Sequence, residues 1–291
     1  MSKIGVATDS HSGITPQQAE QMGIYVLPMP FYVDEECFYE EVSITRAEFF
    51  EQLNAGKKVS TSQPSPEVVM DFWREILKEK DEVLYIPMSS GLSGSCGTAM
   101  MLAQDEEFEG KVFVVDNGRI STPLVRAILD AQEMVAEELG AAKIKKNLEA
   151  AKDKMSIYIA VETLEFLQNG GRISATTAAL GTMLNIKPIL KLGVGLLETY
   201  KKSRGMKKAK KEMLEAIRDD LDATFKEYHE KGEAYLLVAT SADEATTNAW
   251  IAEVKEAFPG MEVLAGNLSL GICCHTGEGA LGVGISCRPQ R

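Results

Sequence analysis

The sequence predicts an α/β fold in two parts. Residues 1–155 read as a parallel, doubly wound α/β/α domain, and residues 156–291 as an α/β domain with a mixed sheet covered by helices. Three observations carry this. Short apolar runs of strand length alternate with capped, amphipathic helices through the first half. Two extended runs meet at Gly193, so they pair antiparallel and the second sheet is mixed. A chain of 291 residues is also near the upper end for a single core.

The elements follow in order. Residues 3–8 form a strand that ends at Asp9-Ser10. Thr15 caps the next helix, with Pro16 at its first position. Residues 24–33 are extended, and Pro28 and Pro30 keep part of that run out of a central ladder. Thr45 caps a short helix, with Glu48 as its capping-box partner. The hydroxyl-rich loop 60–65 leads into a helix over 66–80, capped by Ser65, with Val69, Phe72, Trp73, Ile76 and Leu77 as its apolar stripe. A strand over 82–86 runs into the Ser/Gly loop 89–95, and a helix over 95–104 follows. Residues 111–115 are a strand, apolar after Lys111 and ending at Asp116-Asn117-Gly118, and helices over 122–138 and 141–154 close the domain.

In the second half, 156–161 is a strand. The turn Asn169-Gly170-Gly171-Arg172 presents Arg172 and starts a helix. The extended runs are 186–192 and 194–202, and 207–231 reads as one long amphipathic helix. A strand over 234–239, a helix over 243–258 and a strand over 261–264 precede the tail, which is a Gly-rich loop carrying His275 and then a last strand.

Composition excludes several classes. Apolar content of 45% and charged content of 25% suit a soluble globular chain, and no apolar run approaches a membrane span. The first residues enter a strand pattern without a signal-peptide core, so a cytoplasmic location is expected. The five cysteines are odd in number and match no zinc spacing, so they read as free thiols and no metal is expected. A net charge of -12 argues against a general nucleic-acid or anionic-membrane binder. The exception is Lys201, Lys202, Arg204, Lys207, Lys208, Lys210 and Lys211. They form either a solvated helix start or a docking patch for an acidic or phosphate-bearing partner.

The chemistry gathers in loops. Loop 89–95 follows a strand, at the end of a parallel sheet where such folds bind ligands, and it precedes a helix start with free N–H groups. It suits a carboxylate or a phosphate. Thr61, Ser62, Ser93, Arg172 and His275 can all donate hydrogen bonds, as a buried carboxylate requires. Taken singly, Thr61 and Ser62 are turn formers, Arg172 a surface charge and His275 a loop histidine. A serine acyl hydrolase is the competing reading, with Ser93, Asp116 and His275 in chain order. Against it, Gly91-Leu92-Ser93-Gly94-Ser95 lacks the last glycine of a nucleophile elbow. A dinucleotide fingerprint and a Walker loop are both missing, so no nucleotide cofactor is expected.

Taken in order, the motifs resemble the DegV family of bacterial fatty-acid-binding proteins. They are Thr8-Asp9-Ser10, the run from Thr61 to Pro66, the run from Ser89 to Ser95, Gly171-Arg172-Ile173-Ser174, Ile186-Lys187-Pro188-Ile189-Leu190, Arg204 and His275-Thr276-Gly277. Each is weak alone, and the ordered set spans the whole chain. The resemblance implies a two-domain carrier with a long-chain fatty acid in an apolar tunnel at the domain junction. It implies Thr61 and Ser93 as direct head-group ligands, with Ser62, Arg172 and His275 completing the network. It further implies a separate fatty acid kinase, related to the dihydroxyacetone kinases, that phosphorylates the bound acid for phospholipid synthesis. On this reading Arg204 and Lys208 belong to the kinase-docking patch, and the carrier is not itself an enzyme. The sequence departs from the family pattern at His11, Cys96 and the step Asp116-Asn117-Gly118-Arg119.

Overall fold

The computed structural model describes residues 2–173, 186–192 and 197–291. The helix expected after Arg172 and the first residues of the run 194–202 lie outside these. Chain contacts divide the molecule into two units. The first comprises Met1–Asp153, Ser269–Gly271 and Pro289–Arg291, and the second Lys154–Leu268 and Ile272–Arg288.

The strands of the first unit are Ile4–Asp9 (β1), Tyr25–Leu27 (β2), Phe31–Val33 (β3), Glu36–Phe38 (β4), Val59–Thr61 (β5), Glu82–Ile86 (β6) and Val112–Val114 (β7). β2, β1, β6 and β7 form one parallel sheet in that order. Side chains alternate across it. Leu84 and Ile86 pack with Leu124, Ile128, Ile144 and Leu148 from the helices Ser121–Ala136 and Ala141–Ala150. Val83 and Tyr85 pack with Val69, Trp73, Ile76 and Ala99 from the helices Pro66–Leu77 and Ser95–Leu102. Helices on both faces make this the doubly wound arrangement the sequence predicts.

The expected extended run 24–33 is two strands in two sheets. Pro28 and Pro30 fall between β2 and β3, where neither can donate to a ladder. β3 instead pairs antiparallel with β4 and β5 in a separate three-stranded sheet. Thr61 is therefore the last residue of a strand, opposite Phe31, rather than a free loop residue.

The second unit holds Met155–Ala160 (β8), Ile186–Leu192 (β9), Leu197–Arg204 (β10), Ala234–Thr240 (β11), Val263–Asn267 (β12) and Leu281–Cys287 (β13). Their order is β10-β9-β8-β13-β11-β12, and the β11–β12 pair is parallel while the others are antiparallel. Helices Met206–Asp222 and Glu244–Ala257 pack on it through Met213, Ile217, Trp250 and Val254, against Tyr158, Leu236, Val238 and Val283.

Two expectations are corrected here. The long helix 207–231 breaks after Asp222 and resumes at Lys226–Glu230. The break turns Phe225 into the core, where only 2% of it is exposed, and its N–H bonds the Asp220 carbonyl. The tail is not a loop at His275: Leu270–Thr276 is a helix, with His275 in its last turn. Leu270, Ile272, Cys273 and Cys274 are buried, and that burial outweighs the helix cost of Gly271. Among the described residues no helix is long and apolar enough to cross a membrane, and no group of three His, Cys, Asp or Glu could hold a metal.

Candidate functional site

Each unit gathers its own part of the expected donor set. In the first, Thr61 ends β5 half-buried, and Ser62 follows it exposed. The Ser62 N–H bonds the Pro30 carbonyl at 3.4 Å, and its hydroxyl donates to the Gln63 carbonyl at 3.1 Å. Loop 60–65 meets the Ser93 loop through Gln63, whose Oε1 accepts from Thr98 Oγ1 at 3.3 Å. The same oxygen lies 3.6 Å from where Gly94 would carry a Cβ. Ser93 is half-buried; its hydroxyl donates to Ser95 Oγ at 3.0 Å and accepts the Ser95 N–H at 3.2 Å. Gly94 stands at the N-cap of Ser95–Leu102 with no side-chain cap, so Ser93 does part of that work from one residue earlier.

The Ser93 loop is hung from three points. The Met88 N–H donates to Asp9 Oδ2 at 2.8 Å, and the Ser89 N–H to the Arg119 carbonyl at 2.8 Å. Ser90 Oγ donates to Asp116 Oδ2 at 2.7 Å. Asp9 also accepts the His11 N–H at 3.0 Å through Oδ1, and it is fully buried at the end of β1. One carboxylate thus joins the loops that follow β1 and β6 at the carboxyl edge of the sheet. Sequence reasoning named Asp9 only as part of a motif. Its burial at a strand end comes from β1 lying next to β6, which periodicity does not reveal.

This geometry argues against the hydrolase reading. Burial pushes the Asp116 carboxyl up, but the Lys152 ammonium at 2.6 Å and the Ser90 hydroxyl more than offset it and hold it below its ordinary value. Asp116 Oδ2 is engaged by those two groups rather than by a histidine. The Ser93 proton points to a neutral hydroxyl rather than a base. Beside it, burial pushes the Cys96 thiol up to about 12, so that thiol is not a nucleophile near neutral pH.

In the second unit, Arg172 and His275 meet around Gly170. The half-buried Arg172 donates through Nη1 to the Gly170 carbonyl. The Arg172 carbonyl accepts the Leu197 N–H at 3.2 Å, which ties the turn to β10. A Cβ at Gly170 would lie 2.0 Å from His275 Nδ1 and 2.7 Å from Cε1. Only glycine lets the imidazole lie on this backbone, and the sequence shows a glycine pair there without showing what approaches it.

The basic segment is half strand and half helix. Lys201, Lys202 and Arg204 end β10, the outermost strand of its sheet among the described residues, and Gly205 at φ 81° turns the chain into the helix Met206–Asp222. The buried Glu212 carboxylate lies 3.4 Å from Lys201 Nζ and 3.8 Å from Lys208 Nζ. Arg204 is exposed. Glu212 thus lies within reach of two of the seven basic residues, and both the solvated helix start and the docking patch remain compatible with this placement.

Comparison with known proteins gives a consistent result. The family model described as uncharacterised protein, DegV family, matches residues 3–288. A DegV domain-containing protein of Deinococcus radiodurans is 31% identical over 287 residues, which is 97% of this chain and 98% of the relative. A fatty-acid-binding DegV family protein from Thermus thermophilus superposes with a TM-score of 0.87 at 33% identity, over 98% of this chain and 99% of that one. DegV from Bacillus subtilis, a fatty acid binding protein, gives a TM-score of 0.84 at 28% identity, over 99% and 100%.

Proposed function

This chain belongs to the DegV family, and on that premise we propose that it binds a long-chain fatty acid and presents the carboxylate to a separate kinase. The observation that carries the reading is the grouping of donors within each unit: the loops of Thr61 and Ser93 joined at Gln63, and Arg172 with His275 at Gly170. The fatty-acid-binding relatives at 33% and 28% identity support the ligand class.

Thr61, Ser62 and Ser93 donate hydroxyl hydrogen bonds to the head group, while Arg172 and His275 supply positive charge. A carboxylate leaving water needs such paired donors. The acyl tail supplies most of the affinity, at about 0.8 kcal/mol for each buried CH₂. Donors of this kind hold the acid ionised, which keeps one carboxylate oxygen nucleophilic toward a phosphoryl group brought by the partner. The chain acts as a cytoplasmic carrier. The phosphate donor and the transfer step belong to a fatty acid kinase related to the dihydroxyacetone kinases.

Denaturing the purified protein and analysing the released small molecules by mass spectrometry tests this. A fatty acid near one equivalent per chain is the expected result. Its absence from protein made in lipid-replete cells would contradict the reading.

The exposed end of β10 and the following helix form the docking patch, with Arg204 and Lys208 central. Charges at an interface rim act mainly on association rate and salt dependence. Arg204→Glu with Lys208→Glu should slow acyl-phosphate formation by the kinase at physiological salt and leave the bound acid in place. Equal turnover of variant and wild type would remove the patch from the docking surface.

A further inference from the structure

The helix Leu270–Thr276 carries His275 but is only seven residues long, too short to hold itself in water. Its start is held by the first unit, to which Ser269–Gly271 belongs. There the buried Leu270 N–H donates to Glu40 Oε2 at 2.9 Å, across 230 positions of sequence. The next residue, Gly271, sits so close to His11 that a Cβ would lie 2.8 Å from Nε2. His11 is buried, with Nδ1 3.5 Å from Asp9 Oδ1, so it forms a fixed wall. Glu40 itself is placed by the backbone bridge to Ile44 that follows β4.

We propose that Glu40 is a positioning residue for His275: its hold on Leu270, with Gly271 seated on His11, fixes where the His275 helix begins. The inference rests on the reading of His275 as a head-group ligand. Glu40 touches no ligand on this account and acts through the helix.

The same contact responds to pH. Burial pushes the Glu40 carboxyl up to about 7, against the Leu270 N–H, Arg46 and His11, which favour its charge, and with Glu41, which opposes it. His11 in turn has Asp9 Oδ1 3.5 Å from its Nδ1. A carboxyl whose value is raised in the folded chain holds its proton there between about 4.5 and about 7. Protonated Glu40 still accepts the Leu270 N–H through its carbonyl oxygen. The fold that carries this contact is therefore most stable below that window, and the contribution of Glu40 is lost as pH rises through it.

Amide hydrogen exchange over residues 270–276, corrected for the intrinsic rate at each pH, tests the proposal in the full-length protein. In wild type the corrected exchange should rise between pH 5 and 7.5. Glu40→Gln keeps an acceptor but cannot ionise, so its profile should be flat and protection high. Glu40→Ala should raise exchange about tenfold or more at every pH, since a buried N–H loses its partner. Retention of a long-chain fatty acid should fall in the alanine variant and recover in the glutamine variant. A wild-type profile identical to that of Glu40→Gln would overturn the proposal, even if the alanine variant failed to fold. So would a Glu40→Ala protein with unchanged exchange, or with loosened helix amides and unchanged retention. A protein that shows the exchange effects and binds no acid would instead sink the fatty-acid reading and leave Glu40 as the anchor of this helix.

Discussion

Ser93→Ala and Thr61→Val are each expected to weaken long-chain fatty-acid binding roughly 10- to 150-fold while the protein stays folded. A hydrogen bond to a charged group is worth about 1.5–3 kcal/mol, and that range sets the fold-change. The fold should survive for separate reasons. Thr61 pairs with Phe31 through its backbone, and valine keeps the β-branched shape that suits a strand end. Ser93 is half-buried, so water can replace the acceptor that Ser95 loses. Turnover by the kinase should fall in step with binding. A fluorophosphonate probe should label neither wild type nor variant, because Ser93 donates to Ser95 rather than to a base. Labelling of Ser93 that disappears in His275→Ala would restore the hydrolase reading, and full retention of the acid by the double variant would remove both hydroxyls from the site.

Asp9→Ala is expected to lower unfolding stability by about 3–5 kcal/mol, more than any other single change considered. The carboxylate is fully buried and accepts two backbone N–H groups, from His11 and Met88. Alanine leaves both donors without a partner in a dry site. Asparagine keeps one acceptor oxygen and turns an NH₂ toward the other N–H, so it restores only part of the loss. Because Met88 begins the Ser93 loop, both variants should also lose fatty acid, although Asp9 contacts none. Urea unfolding checks the first effect. A change below about 1 kcal/mol would mean that the loops after β1 and β6 are held by something other than this residue.

Much of the first unit was legible because local signals agree there with the global fold. Thr15, Thr45 and Ser65 cap the helices at the places the sequence marks, and Thr15 and Thr45 complete capping boxes with Gln18 and Glu48. The runs at 83–86 and 112–115 are apolar throughout because helices cover both faces of their sheet. Elements built on tertiary contact were hidden. The strands β3, β4 and β5 are three residues each, too short to show a period. The helix at His275 was masked by Gly271 and Gly277, whose roles are close packing on His11 and a positive φ of 72°. The donor types could be read from Thr61, Ser62, Ser93, Arg172 and His275, since the chemistry of a side chain is local, although Thr61 ends a strand and His275 lies in a helix. Their supports could not, because Asp9, Gln63 and Gly170 act through residues distant in sequence.

The central claim is that donors selected for a carboxylate hold the head of a long acyl chain, and a titration of delipidated protein tests it most directly. A long-chain fatty acid and its methyl ester present nearly the same apolar surface, so they differ chiefly in the charge and acceptor strength of the head group. The account predicts saturation at one acid per chain, with the ester bound at least about tenfold more weakly. Equal affinity for acid and ester, or no saturable binding of either, would contradict it.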